Sequence, residues 1–211
     1  MAAAKHLLNG GWELSVAGVG ASGRGGKPAR RWEDRQRITC VRFVEEFWSI
    51  FSRLEPPSRW PSPATCYLFR EGLEPSWEAW PAGGTVRLGF VRAALADDDL
   101  DSSWLRLCLA ALGEQLAHQP AHVCGVELAV RRRPASVRLC VWTRTAADTQ
   151  AIISRLRDLV SPPTSCWRAQ LDDDSGAELP PEPPPWEFVA HQESRRSHAA
   201  SERQQVAAAP A

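Results

Sequence analysis

The sequence predicts an α+β domain in which a few helices cover one face of an antiparallel sheet. Two observations carry this. Residues 126–131 (VELAVR) and 137–142 (VRLCVW) alternate apolar and polar positions around the turn R-R-P-A-S, as a β-hairpin with one buried face does. Three other segments, 44–54, 98–116 and 146–160, carry apolar residues at helical spacing instead.

Taken along the chain, residues 17–30 (AGVGASGRGGKPAR) are rich in Gly and Ala and read as a flexible loop. In 44–54 (VEEFWSIFSRL), Val44, Phe47, Phe51 and Leu54 form an apolar stripe, with Trp48 at its edge. Residues 86–91 (VRLGFV) read as a strand with Val86, Leu88 and Phe90 on one side. The helix at 98–116 begins with aspartates, which suit the positive end of its dipole. The helix at 146–160 stops at Ser161-Pro162-Pro163. From Gly176 onward, through the P-P-E-P-P-P of 180–185 to the Ala-rich end, composition suggests disorder. The expected division is an N-terminal end (1–5), a folded domain (6–172) and a disordered tail (173–211).

In the hairpin, Val126, Leu128 and Val130 point one way, and Glu127, Ala129 and Arg131 the other. Val137, Leu139 and Val141 oppose Arg138, Cys140 and Trp142 in the same manner. With residue 131 placed opposite 138, Arg131, Arg138 and Trp142 share the face away from the helices. A solvated surface with a stacked guanidinium is the plain explanation. The functional one is nucleotide binding, because guanidinium forks clamp phosphates and aromatic faces stack bases.

Composition narrows the choice. The 25 basic and 25 acidic residues cancel, so no global field recruits nucleic acid or a membrane. Basic charge is local: residues 1–44 hold Lys5, Arg24, Lys27, Arg30, Arg31, Arg35, Arg37 and Arg42 against Glu13, Glu33 and Asp34. The 6 cysteines are far apart and read as reduced thiols in an intracellular protein. No run reaches the roughly 18 apolar residues of a membrane span. Zinc is the main chemical rival, through His118, His122 and Cys124, but Pro120 breaks the helical spacing of the histidines and no further ligand pair completes the set. No nucleophile elbow, phosphate loop or paired-carboxylate motif suggests an enzyme, and no cofactor is expected. What stands out is 10 tryptophans against 1 tyrosine.

One of them lies in Y-L-F-R-E-G-L-E-P-S-W-E at 67–78. An aromatic face beside a carboxylate suits guanine, whose N1–H and N2 amine are two adjacent donors. Methylation at N7 adds a positive charge that strengthens both contacts.

With that stretch the sequence resembles the eukaryotic messenger-RNA cap-binding translation initiation factors (factor four-E). The resemblance runs over about 6–170 and rests also on H-L-L-N-G-G-W (6–12), V-E-E-F-W (44–48), Gly83-Gly84, W-L-R-L-C-L-A-A-L-G-E (104–114), V-C-G-V (123–126) and V-W-T (141–143). It implies a curved antiparallel sheet with three helices on the convex face and a cap pocket on the concave face. It further implies that Trp32 and Trp77 sandwich the 7-methylguanine, Glu78 reads its edge and Trp142 lies near the methyl. Arg131 and Arg138 would hold the phosphates, with Arg133 in the turn as a further contact. Trp32 is matched across a one-residue deletion.

On the convex face, Val44, Trp48, Leu105 and Gly113 match the surface where a scaffold or repressor docks a short helical motif. The implied partners are thus capped messenger RNA and such a protein, in the cytoplasm and secondarily the nucleus, with no membrane. Arg106 replaces an expected acidic residue at the docking surface, Ser15 and Val86 replace tryptophans, and the loop between Glu78 and Gly83 is short. The implied function is cap binding with scaffold recruitment for translation initiation. Two alternatives are a cap-binding repressor or specialised isoform, and an interaction module without cap affinity.

Overall fold

A computed structural model describes residues 5–18, 35–92, 95–132, 135–160 and 186–192. Seven strands form one sheet: β1 (Leu7–Ala17), β2 (Gln36–Phe43), β3 (Ala64–Arg70), β4 (Gly84–Val91), β5 (Val123–Arg132), β6 (Ala135–Thr143) and β7 (Glu187–Ala190). Their order is β2-β1-β3-β5-β6-β4-β7, and every neighbouring pair is antiparallel. The helices are α1 (Val44–Phe51), α2 (Asp97–Leu112) and α3 (Thr149–Leu159).

Alternation along the strands separates two faces. Trp12 and Leu14 of β1, Leu68 of β3, Val126 and Leu128 of β5, Leu139 and Val141 of β6 and Val86 and Leu88 of β4 all turn toward the helices. Helical spacing on α2 aims Leu100, Trp104, Leu107 and Ala111 at them, while α1 contributes Phe47 and α3 Ile152 and Leu156. Asp97, Asp98 and Asp99 occupy the first turn of α2, as the dipole favours. Asp101 ties that helix to the turn at Pro57–Arg59, accepting bonds from the Ser58 backbone N–H (2.8 Å) and hydroxyl (2.7 Å).

Arg70 staples one end of the sheet. Its guanidinium donates to Val123 O (3.1 Å), Pro120 O (3.1 Å) and Glu114 Oε1 (2.6 Å), and lies 4.9 Å from the Trp12 ring centre. Burial opposes ionisation of Glu114, but the bonds from Arg70 and Asn9 prevail and hold its carboxyl below the usual value.

Two expectations are corrected. The hairpin does not pair 131 with 138: Arg131 faces Ser136, and Ala129 faces Arg138. Both strands run closer to the turn than their alternation suggested, and only residues 133–134 separate them. A shift of two residues leaves every side chain on its expected face. The tail expected from 173 is not uniformly disordered. Residues 187–190 form β7 along the β4 edge, and Trp186 and His191 are buried. Phe188 lies over Gly84, where a Cβ would meet its ring at 2.4 Å, so only glycine permits this approach.

Trp186 packs into the helix-side core. Trp186→Ala should lower stability by about 3 kcal/mol, the usual loss for a buried large aromatic. Urea unfolding reads this as a lower midpoint at unchanged slope. An unchanged midpoint would refute the docking of 186–192.

Candidate functional site

On the face away from the helices, Ala17, Tyr67, Phe69, Cys124, Cys140 and Trp142 form a second, smaller apolar cluster, with Leu73 and Trp80 against it. Phe69 meets the Trp142 ring edge-on, with centres 5.8 Å apart and planes at 64°. Phe69 can lie there because residue 125 is glycine, whose Cβ would otherwise meet the Phe69 ring at 2.5 Å.

Polar groups are built around this cluster. Glu127 of β5 is 4% exposed and accepts bonds from Trp142 Nε1 (2.8 Å) and Arg138 Nη2 (2.9 Å). Burial disfavours the Arg138 charge, but Glu127 outweighs it and raises the Arg138 pKa further. Arg131 is exposed at the end of β5, and the neighbouring Arg138 charge presses its pKa downward. Burial pushes the Cys140 thiol beneath them up to about 12, so it is not a thiolate at neutral pH.

The Trp77–Glu78 loop joins β3 to β4. Trp77 is half-buried and Glu78 exposed. Ser76 Oγ donates to Glu78 Oε2 (2.6 Å), and Trp77 Nε1 donates to Glu78 Oε1. Each carboxylate oxygen thus takes a donor from its own loop, which fixes the carboxylate plane beside the Trp77 ring. Two successive turns then lead to Gly83, with Trp80 N–H bonded to Trp77 O (3.4 Å) and Gly83 N–H to Trp80 O (2.9 Å).

His191 joins this loop to the sheet. Its ring centre is 5.0 Å from that of Trp142, its Nδ1 is 2.8 Å from Trp80 O, and its backbone N–H bonds Gly83 O (3.0 Å). A carbonyl only accepts, so Nδ1 carries the proton and Nε2 is a buried acceptor with no partner among the described residues. Arg144 covers the Trp80 ring at 4.8 Å. Sequence reading assigned neither His191 nor Glu127, and left Trp80 without a role.

The structure therefore brings Trp142, Arg138 and Arg131 onto one face and ties the loop of Trp77 and Glu78 to it through Trp80 and His191. Trp32 and Arg133 lie outside the described residues. Val44, Trp48, Leu105 and Gly113 belong to the opposite, helical layer. There Trp48 is 42% exposed, its ring edge-on to Phe47 and Phe51. Leu105 is half-buried, and Arg106 and Gly113 are exposed.

The histidine–cysteine set weighed for zinc is dispersed in role. His122 Nδ1 bonds Asp148 Oδ2 (2.8 Å), and burial pushes the Cys124 thiol up to about 11. Among the described residues no three His, Cys, Asp or Glu side chains group as metal ligands, and no helix is long and apolar enough to span a membrane.

Comparison with known proteins adds the following. The family model described as eukaryotic initiation factor 4E matches residues 8–205. Eukaryotic translation initiation factor 4E-2 of Arabidopsis thaliana is 37% identical over 113 residues, which cover 53% of this chain and 44% of that protein. Eukaryotic translation initiation factor 4E of Candida albicans is 29% identical over 154 residues, covering 70% and 68%. The chain spans about half the length of the plant relatives it matches. Among solved structures, the complex of C. elegans eIF4E-3 with the 4E-binding protein Mextli and cap analog superposes with TM-score 0.68 at 22% identity, over 92% of this chain and 96% of that one. The complex of Ascaris suum eIF4E-3 with m7G cap gives TM-score 0.66 at 25% identity, over 76% and 87%.

Burial lowers the His191 pKa below its ordinary 6.5, against smaller opposing effects of the Trp80 carbonyl and the Glu78 charge. The unfolded chain then takes up this proton first as pH falls. The contribution of His191 is intact above pH 6.5 and lost between 6.5 and the lower folded value. His191→Gln should flatten the fall in stability as the pH drops below about 6.5, by up to roughly 1.4 kcal/mol per pH unit at its steepest. Identical slopes in the two proteins would refute a buried neutral histidine.

Proposed function

The chain belongs to the eukaryotic initiation factor 4E family, and from that premise we propose that it binds the 7-methylguanosine cap of messenger RNA and recruits a scaffold protein for translation initiation. One observation carries the reading. The buried Trp142 and half-buried Arg138 are fixed by the same buried carboxylate on the sheet face away from the helices, beside the loop that holds Trp77 and Glu78.

Trp77 stacks on the methylated base from one side and Trp32 from the other, and the Glu78 carboxylate accepts from guanine N1–H and N2. Trp142 faces the methyl. Arg138 and Arg131 bind the phosphates, with Arg133 as a further contact from the turn. Glu127 acts through them: it fixes the Arg138 fork and the plane of the Trp142 ring before a ligand arrives. The cationic base strengthens stacking and base reading alike, so affinity depends on the methyl group. Phosphate contacts add salt-dependent affinity without choosing the base. Binding without chemical conversion is the whole activity, carried out in the cytoplasm.

On the helical layer Val44, the exposed Trp48, Leu105 and Gly113 form the docking surface for a helical motif. Exposed Arg106 beside Leu105 favours a second reading, a cap-binding repressor or specialised isoform with a different scaffold preference. It presents a positive charge where a basic motif would be repelled.

Tryptophan fluorescence should be quenched by 7-methyl-GTP and far less by GTP. Trp77→Ala should weaken 7-methyl-GTP by roughly five- to 150-fold, since a stacked ring contributes about 1–3 kcal/mol. No quenching, or equal quenching by both nucleotides, would refute cap binding. Separately, Trp48→Ala should abolish capture of helical-motif scaffolds while sparing 7-methyl-GTP affinity. Unchanged capture would refute the docking surface.

A further inference from the structure

Arg87 has no part in the reading above, yet it lies on the same open face. On β4 it pairs with Cys140, and Gly89 pairs with Arg138. On β5, Ala129 pairs with Arg138 and Arg131 with Ser136. Arg131, Arg138 and Arg87 therefore form an oblique row across three adjacent strands, each one diagonal step from the next. Diagonal neighbours on a sheet stand about 7–8 Å apart, within reach of long side chains. The effect is felt at Arg131, whose pKa is pressed down first by Arg138 and in smaller part by Arg87.

Room exists above the row. A Cβ on Gly89, which lies between Arg87 and Arg138 on this face, would meet nothing within 4 Å.

Three cations in a row repel one another, and two carboxylates offset them in different ways. Glu127 holds Arg138 from within the sheet, where its side chain is 5% exposed. Glu187 holds Arg87 from the edge: Arg87 Nε (3.0 Å) and Nη2 (2.9 Å) both donate to Glu187 Oε2. That pair is open to solvent, with side chains 37% and 60% exposed. Exposed pairs of this kind are weak. A phosphate group offers the same guanidinium several charged oxygens and a better match to its fork.

We propose that Arg87 is an additional phosphate-binding arginine, and that Glu187 is an internal stand-in for phosphate which the ligand displaces. The proposal rests on the cap-binding reading and extends it. Phosphate capture would break the side-chain tie between β7 and Arg87, so occupancy of the site and docking of the C-terminal strand are coupled.

The test titrates the full chain with 7-methyl-GTP and with phosphate-free 7-methylguanosine by tryptophan fluorescence at several salt concentrations. Arg87→Gln should bind 7-methyl-GTP about tenfold more weakly, reduce its salt slope by about one, and leave 7-methylguanosine unchanged. Glu187→Gln should bind 7-methyl-GTP about two- to fivefold more tightly, as release of a surface pair permits, again without effect on the nucleoside. Unchanged 7-methyl-GTP affinity in Arg87→Gln, or equal weakening of both ligands, would overturn the phosphate role. Unchanged or weaker binding in Glu187→Gln would overturn the displacement. A wild-type chain that does not prefer 7-methyl-GTP to GTP would instead sink the cap reading, and this proposal with it.

Discussion

The open face depends on one buried carboxylate. Glu127 is almost wholly withdrawn from water in the middle of an antiparallel sheet, a placement that is costly unless its oxygens are bonded. The structure divides them: one oxygen takes Trp142 Nε1 and the other takes Arg138 Nη2. Register explains why the division works. Glu127 stands opposite Cys140, so residues 138 and 142 flank it one diagonal step to either side. A single side chain thus fixes an aromatic plane and a guanidinium fork on opposite sides of itself. An aromatic ring and a cation held in set orientation by the protein alone are what the proposed planar, phosphate-bearing ligand would need.

The same alternation that produces this face produces the rest of the fold. Leu128, Val126, Leu139 and Val141 are sequence neighbours of Glu127, Cys140 and Trp142, and they lie under the helices because the strand pleat sends them there. Burial of that side holds the register. Slipping the hairpin by one residue would bring the charged set into the core. Hydrophobic packing on one face therefore sets the geometry of polar groups on the other. Helices and ligand face are two consequences of one pattern.

Much of this was legible in the sequence, and what was not has a definable reason. The faces of Arg131, Arg138 and Trp142 follow from alternation alone, which a two-residue register shift does not disturb. The role of Glu127 does not survive that shift. With 131 opposite 138, residue 127 would oppose 142 directly, and its position midway between Trp142 and Arg138 is hidden. The strand at 187–190 was missed for a different reason. Four residues after a proline-rich stretch give no periodicity, and their pairing with β4 depends on partners about 100 positions away. Trp80 was unexplained because what it does is tertiary: its carbonyl receives His191 and its ring carries Arg144.

That short strand bears on the site more than its length suggests. Trp186 enters the helix-side core and Phe188 covers Gly84, while Glu187 reaches over the opposite face to Arg87. Just beyond the strand, His191 fills the space between Trp142 and the Trp80 carbonyl. The segment is therefore anchored on both faces of the sheet at once. Its hold on the helix side rests on burial, which a nucleotide on the open face does not alter. Its hold on the open face is polar, and so is sensitive to charge. A ligand that adds negative charge near Arg87 acts on the second anchor and not the first. Loss of the ion pair would accordingly be felt along β7 without unfolding it, because the core contact of Trp186 is independent of the Arg87–Glu187 pair.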